Sequence, residues 1–185
     1  MSFLHIKTAV RVVHAGGLIA YPTEAVYGLG CDPGDATAVA RLLGLKRRPP
    51  GKGLILIAAE LAQLEPFLLP LSSADRATVM ATWPGPVTWL LPVRPEVPRW
   101  LRGDHDTLAV RVTAHPLAAA LCRACGSALV STSANRSGHP PARSALQVRL
   151  RLGKAVDYVL PGATGGAAKP TEIRDLRSGR VVRAA

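Results

Sequence analysis

Short apolar runs of strand length alternate with segments of helical period along the whole chain, and that alternation leaves few architectures open. No unbroken apolar run exceeds six residues, as in Leu54 to Ala59, far short of a membrane-spanning helix. Helical spacing covers Phe3, Ile6, Val10 and Val13 and stops at Gly16–Gly17. It returns from Asp35, as cap, through Leu45, over Glu60 to Leu69, and over Ser72 to Thr82 with Ser72 or Ser73 as cap. Further helices are expected over His115 to Cys125 and Ser144 to Leu152. Strands are expected over Leu18–Tyr21, Leu54–Ala58, Val87–Val93, Thr107–Val112 and Ala128–Ser131, and near 158–160, 172–174 and 180–182. Glycines and polar groups predict a loop between Pro22 and Pro33, and Trp83 to Pro86 predict a turn. No repeat, linker or low-complexity tract interrupts the pattern, so residues 1–185 are expected to form one α/β domain around a central sheet.

Apolar residues make up 48% of the chain and charged ones 19%, enough to bury a core. The N-terminus lacks the basic-then-apolar layout of a signal peptide, so a cytoplasmic protein without membrane attachment is expected. Twenty-three Lys and Arg face 12 Asp and Glu, a net charge of +11. Eighteen of the cations are Arg, whose planar fork matches phosphate and carboxylate oxygens. The charge fits a solvated basic surface or a concavity that meets nucleotide, tRNA or both. Aromatic residues are few and none is interleaved in the basic stretches, so base stacking is not indicated.

Three cysteines exclude a disulfide scaffold. Cys122 and Cys125 form a CxxC at the end of an expected helix. No second pair supplies the remaining ligands of a zinc site, so both are read as reduced, partly buried small residues and no metal is assigned.

Several polar loops sit beside apolar strands, where ligands gather in open α/β sheets. Lys46, Arg48 and Lys52 place three cations within seven residues, on a turn stiffened by Pro49 and Pro50 and freed by Gly51 and Gly53. Such a cluster suits a polyphosphate or is a solvated turn; neither a P-loop nor a Rossmann glycine pattern is present. Ser131 to Asn135 either offers hydroxyls and an amide to a ligand or satisfies its own backbone. Arg111, inside the apolar run Leu108 to Val112, either snorkels outward or lies partly buried against an anion. Asp104 and Asp106 read as solvated. No GxSxG and no Cys–His spacing marks a nucleophile. Many cations with few carboxylates suit a nucleophile that is already anionic, as when ATP transfers its nucleotidyl group to a carboxylate or carbamate.

Taken in order, these segments resemble a known family. Tyr21 to Gly30 (YPTEAVYGLG) is similar to the signature of the YrdC family of threonylcarbamoyl-AMP synthases, Lys46 to Pro49 to its KxRP motif, and Ser133 to Asn135 to its SxN motif. Trp83 to Thr88, Ala109 to Val112, Pro170 to Asp175 and Val182–Arg183 also match, so the resemblance covers nearly the whole chain and is closest to the short, single-domain bacterial branch. It implies a twisted mixed α/β sheet flanked by helices, with a basic concave face. The implied reaction joins L-threonine, bicarbonate or CO2, and ATP into L-threonylcarbamoyladenylate with release of pyrophosphate. Partner proteins that transfer the threonylcarbamoyl group would then carry it to the adenosine beside the anticodon of tRNAs reading ANN codons. Lys46 and Arg48 would be catalytic. ATP would meet Lys46, Arg48, Lys52, Thr107, Asn135, Arg143, Ser144 and Arg183, with magnesium carried by the phosphates. Threonine would meet Arg111, Ser133 and Thr171. The longer branch has Thr where this chain has Ala25 and His where it has Ile57, so Thr23 and Tyr27 are the candidates for the substrate hydroxyl. The alternative is a non-catalytic module that binds structured RNA, tRNA or rRNA, through the same Arg-rich surface.

Overall fold

The computed structural model describes residues 3–184. Helix α1 (Phe3–His14) leads into β1 (Ile19–Pro22) and β2 (Tyr27–Gly30), then α2 (Ala36–Lys46) and β3 (Ile55–Ala58). Next come α3 (Ser73–Met80), β4 (Val87–Pro92), the short α4 (Arg99–Arg102), β5 (Thr107–Val112) and α5 (Pro116–Cys125). Then follow β6 (Leu129–Ser133), α6 (Ala145–Leu152), β7 (Tyr158–Val159), β8 (Glu172–Asp175) and β9 (Val181–Arg183). Among the described residues, nine strands form one mixed sheet in the order β7-β1-β2-β6-β3-β5-β4-β8-β9. Neighbours β1–β7, β3–β5 and β4–β8 run parallel and the other pairs antiparallel. Among the described residues, no helix is long and apolar enough to cross a membrane.

Period-two alternation divides the core between the two faces of this sheet. Leu56, Ala58, Val110, Val112 and Val130 join a large cluster with Leu42 of α2, Val79 of α3, Leu101 of α4 and Val148 of α6. Ile19, Tyr21, Ile57 and Leu129 point the other way, against Ala9 and Val13 of α1 and Ala118, Leu121 and Cys122 of α5. Cys31, Cys122 and Cys125 are buried thiols, and burial raises all three above the ordinary thiol range.

Asp35 caps α2, accepting from the backbone N–H of Thr37 at 2.8 Å and of Ala38 at 3.0 Å. Ser72 caps α3 and His115 caps α5. Two expectations are corrected. The helix expected over Glu60 to Leu69 is a pair of 3₁₀ turns, Leu61–Gln63 and Glu65–Phe67. Pro66 has no N–H to continue an α-helix and disfavours the helical conformation at Glu65. The loop expected from Pro22 to Pro33 contains β2, paired to β1 on one side and β6 on the other. Glycine is required there by close approach: a Cβ on Gly30 would lie 2.3 Å from the Val130 carbonyl oxygen. Strand β6 also runs on to Ser133, so Thr132 and Ser133 are ladder residues opposite Leu29 and Gly28.

Candidate functional site

Helices α1 and α5 cover only part of their sheet face, and the remainder is the floor of a cleft of about 590 Å³. Laterally paired Ser131, Ile55, Ala109 and Leu90 form a row across β6, β3, β5 and β4, and all four line it. In the next row Leu129 and Ile57 lie under the helices, and Arg111, paired with Ile57, stands at the border of the covered and open parts. That border position explains an Arg that lines the cleft yet is only 5% exposed.

The rim comes from segments far apart in sequence. Lys46 ends α2, and Arg47 follows with φ 49°, a left-handed residue that stops the helix and turns the chain. Lys46 and Arg48 on either side of that turn both line the cleft, as do Lys52, Ser133, Asn135, Thr171 and Arg183. Lys46 is 4% exposed. Its Nζ donates to the carbonyls of Ser133 (2.6 Å) and Asn135 (3.0 Å) and to Asn135 Oδ1 (3.2 Å), while Ser133 Oγ donates to the same Oδ1 at 2.6 Å. The basic turn and the Ser-Ala-Asn segment are therefore one unit. Arg48 braces its own turn, donating to the carbonyls of Gly53 (3.0 Å) and Lys52 (3.3 Å). Gly53 sits at φ 61° with Arg102 packed against it, so the tight turn needs glycine.

The charges feel one another. Burial, then the charge of Arg48, lowers the Lys46 ammonium to about 8. Burial, then Arg111 and Arg48, lowers Arg183. Lys46, Arg48, Arg111 and Arg183, from three separate segments, thus share one recess, and among the described residues no carboxylate lines it.

Arg111 has a buried anion as partner, but an internal one. Its Nη2 lies 3.3 Å from Glu24 Oε2 and its Nη1 donates to Thr171 Oγ1 at 2.7 Å. Glu24 Oε1 accepts from the Thr113 hydroxyl at 2.7 Å and the Ala114 N–H at 3.2 Å. Burial pulls the Glu24 carboxyl upward, yet Arg111 and the Thr113 hydroxyl outweigh it and hold it below the ordinary carboxylate value.

Of the residues singled out in the sequence, Lys46, Arg48, Lys52, Thr107, Asn135, Arg183, Thr23, Arg111, Ser133 and Thr171 line the cleft, and Tyr27, Arg143 and Ser144 do not. Tyr27 is fully buried and its hydroxyl donates to the Gly162 carbonyl. Arg143 is exposed and donates to the Ala168 carbonyl at 2.7 Å. Ser144 caps α6, accepting from the Gln147 N–H at 3.2 Å. Ser144→Ala is accordingly expected to cost about 1 kcal/mol of stability and to leave the KM for ATP unchanged, as thermal melts and steady-state kinetics would read out. Asp104 and Asp106 are exposed and paired with Arg99 and Arg177. Glu24, Arg102 and His105 carry no signal of their own in the sequence that marks them for the site. The last two enter the cleft from α4 and the turn after it, which no local pattern announces.

A family model named Sua5_yciO_yrdC, described as “Telomere recombination”, matches residues 11–185. The chain is 61% identical to a threonylcarbamoyl-AMP synthase of Nitrosococcus oceani over 178 residues, 96% of each chain. It is 60% identical to one of Alkalilimnicola ehrlichii over 184 residues, 97% of this chain and 95% of that one. It superposes on P. abyssi Sua5 complexed with L-threonine with a TM-score of 0.87 at 34% identity, covering 93% of this chain. It spans about half of that longer protein, 51%.

Proposed function

The chain belongs to the Sua5/YciO/YrdC family, and from that premise we propose that it makes L-threonylcarbamoyladenylate from L-threonine, bicarbonate or CO2, and ATP, releasing pyrophosphate. The observation that carries this reading is the gathering of Lys46, Arg48, Lys52 and Arg183 in one carboxylate-free recess beside Arg111. A recess so lined favours polyphosphate and needs no side-chain base when the nucleophile is itself an anion.

The chemistry balances without a protein nucleophile. The threonine amine forms a C–N bond to CO2 and releases its proton to solvent, leaving a carbamate; from bicarbonate the same carbamate forms with loss of water. A carbamate oxygen attacks the α-phosphorus of ATP; the bond to the β-phosphate oxygen breaks and pyrophosphate departs. Lys46 and Arg48 offset the charge that grows on the leaving group, with Lys52, Thr107, Asn135 and Arg183 along the nucleotide. Arg111 meets the threonine carboxylate, and Ser133 and Thr171 stand beside it. Thr23 lines the cleft, but its hydroxyl already donates to the Val26 carbonyl at 2.7 Å, so toward the threonine hydroxyl it serves as acceptor. Magnesium fits this lining only as a passenger of the phosphates, since the described lining residues offer hydroxyls, carbonyls and amides but no carboxylate.

The product is the first intermediate of threonylcarbamoyladenosine beside the anticodon of tRNAs reading ANN codons, and downstream transfer proteins in the cytoplasm would take it up. Contact with tRNA or another duplex RNA is supported by the net charge of +11 and by exposed Arg143, Arg149 and Arg151 outside the cleft. Mass spectrometry of a reaction holding ATP, L-threonine and bicarbonate should reveal the mixed adenylate, with pyrophosphate release requiring all three. Release that ignores threonine would refute the assignment.

A further inference from the structure

We infer that Glu24 is a positioning residue for threonine: it holds the Arg111 guanidinium in the orientation that receives the substrate carboxylate. The inference rests on the reading of Arg111 given above and extends it to a side chain that does not itself line the cleft.

Glu24 belongs to the connection between β1 and β2, whereas Arg111 is on β5, three places away from β2 in the sheet order. The two strands are not direct neighbours, so the contact between Glu24 and Arg111 is made by their side chains. Glu24 is 9% exposed and fixed on three sides, by the Thr113 hydroxyl, the Ala114 N–H and Arg111. Thr171 takes the other end of the guanidinium through Nη1. An Arg with five donors and a long stem would otherwise sample many rotamers at the border of an open recess. Clamped at Nη1 and Nη2, it has one plane left.

The pairing is incomplete. Glu24 Oε2 and Arg111 Nε are both buried and make no hydrogen bond. Oε2 attracts Nη2 across 3.3 Å without the geometry of a hydrogen bond. A bidentate carboxylate would take two of the five donors; this one supplies the field and leaves more donor capacity free. Burying two charges with their bonding unfinished is costly for folding alone, which favours a role in holding a ligand-binding group.

The test uses the whole chain and reads L-threonine binding by calorimetry as well as kinetics. Glu24→Gln keeps the shape and removes the charge, and should raise the Kd and KM for L-threonine about tenfold, the worth of one well-placed charged hydrogen bond. The KM for ATP should stay within about twofold, because uniform damage to the cleft would move both. Should Glu24→Gln fail to fold, Thr113→Val removes one anchor of Glu24 while keeping both charges, and should shift threonine affinity the same way by a smaller factor. Unchanged threonine affinity, tighter affinity (the mark of a competing anion), or an equal rise in both KM values would each overturn the inference. Arg111→Lys separates the two claims, since it keeps a cation for Glu24 but removes the fork. If it weakens threonine binding and Glu24→Gln does not, only the role of Glu24 fails; if Arg111→Lys has no effect, the reading of Arg111 fails and this one with it.

Discussion

Lys46→Ala is expected to slow threonine-dependent pyrophosphate release about 10²- to 10³-fold, the usual consequence of deleting a preorganised charge that faces a developing anion. The ammonium is held by three oxygens of the Ser133–Asn135 segment, so it is in place before ATP arrives and needs no reorganisation during the reaction. Lys46→Arg should not restore the rate, because a planar guanidinium does not fit where a compact ammonium sits among those oxygens. A pH profile sharpens the claim. With the ammonium at about 8 in the fold against 10.5 ordinarily, activity should fall as pH rises through about 8, and that limb should be missing from the residual rate of Lys46→Ala. Stability should move the opposite way. Between about 8 and 10.5 the unfolded chain binds the extra proton, so this group makes the fold more stable as pH rises across the window. A Lys46→Ala enzyme within tenfold of the parent would dismiss the leaving-group role.

Arg111→Ala is expected to weaken threonine binding at least tenfold, the low end for a lost charged hydrogen bond, and to cost about 3–5 kcal/mol of stability by stranding Glu24. For a chain of this size that is a fall in Tm of roughly 6–20 °C. Acidity decides whether Glu24 is the cause. In the parent the Glu24 carboxyl is held below its ordinary 4.5, so its contribution is present above that value and is lost as pH falls through the folded one. In the variant burial is opposed only by the Thr113 hydroxyl and backbone N–H groups, so the carboxyl rises from its position in the parent and its penalty fades as it protonates. The gap in Tm should therefore narrow as pH drops toward and below 4.5. Thermal melts across pH 4 to 8 supply the measurement, and a gap independent of pH would assign the loss to packing.

Most of the strands and all the longer helices are legible from local pattern, because period two, period 3.6 and capping residues act over a few neighbours. The misses have different causes. Tyr27–Gly30 carries two glycines that weaken any local case for a strand, and its strand state is imposed by β1 and β6 on either side. The helix expected over Glu60 to Leu69 fails at Pro66, where one missing donor outweighs an apolar spacing. The candidate site divides the same way. Lys46, Arg48 and Asn135 could be picked out along the chain, but the bonds that make them one unit span 87 and 89 residues. Ser144 looked equally suitable as a ligand group and is a helix cap, since a hydroxyl before a helix serves either purpose until its neighbours are known.

What the amino-acid order determined by itself was the alternation of elements, the surplus of Arg over acid, and the ordered blocks that place the chain in its family. Only the tertiary structure decided that α1 and α5 stop short and leave a row of β5 side chains uncovered, and that the anion beside Arg111 is Glu24. Helical period and charge are properties of near neighbours or of the whole composition, whereas a cleft and a buried ion pair exist only once distant strands have been laid side by side.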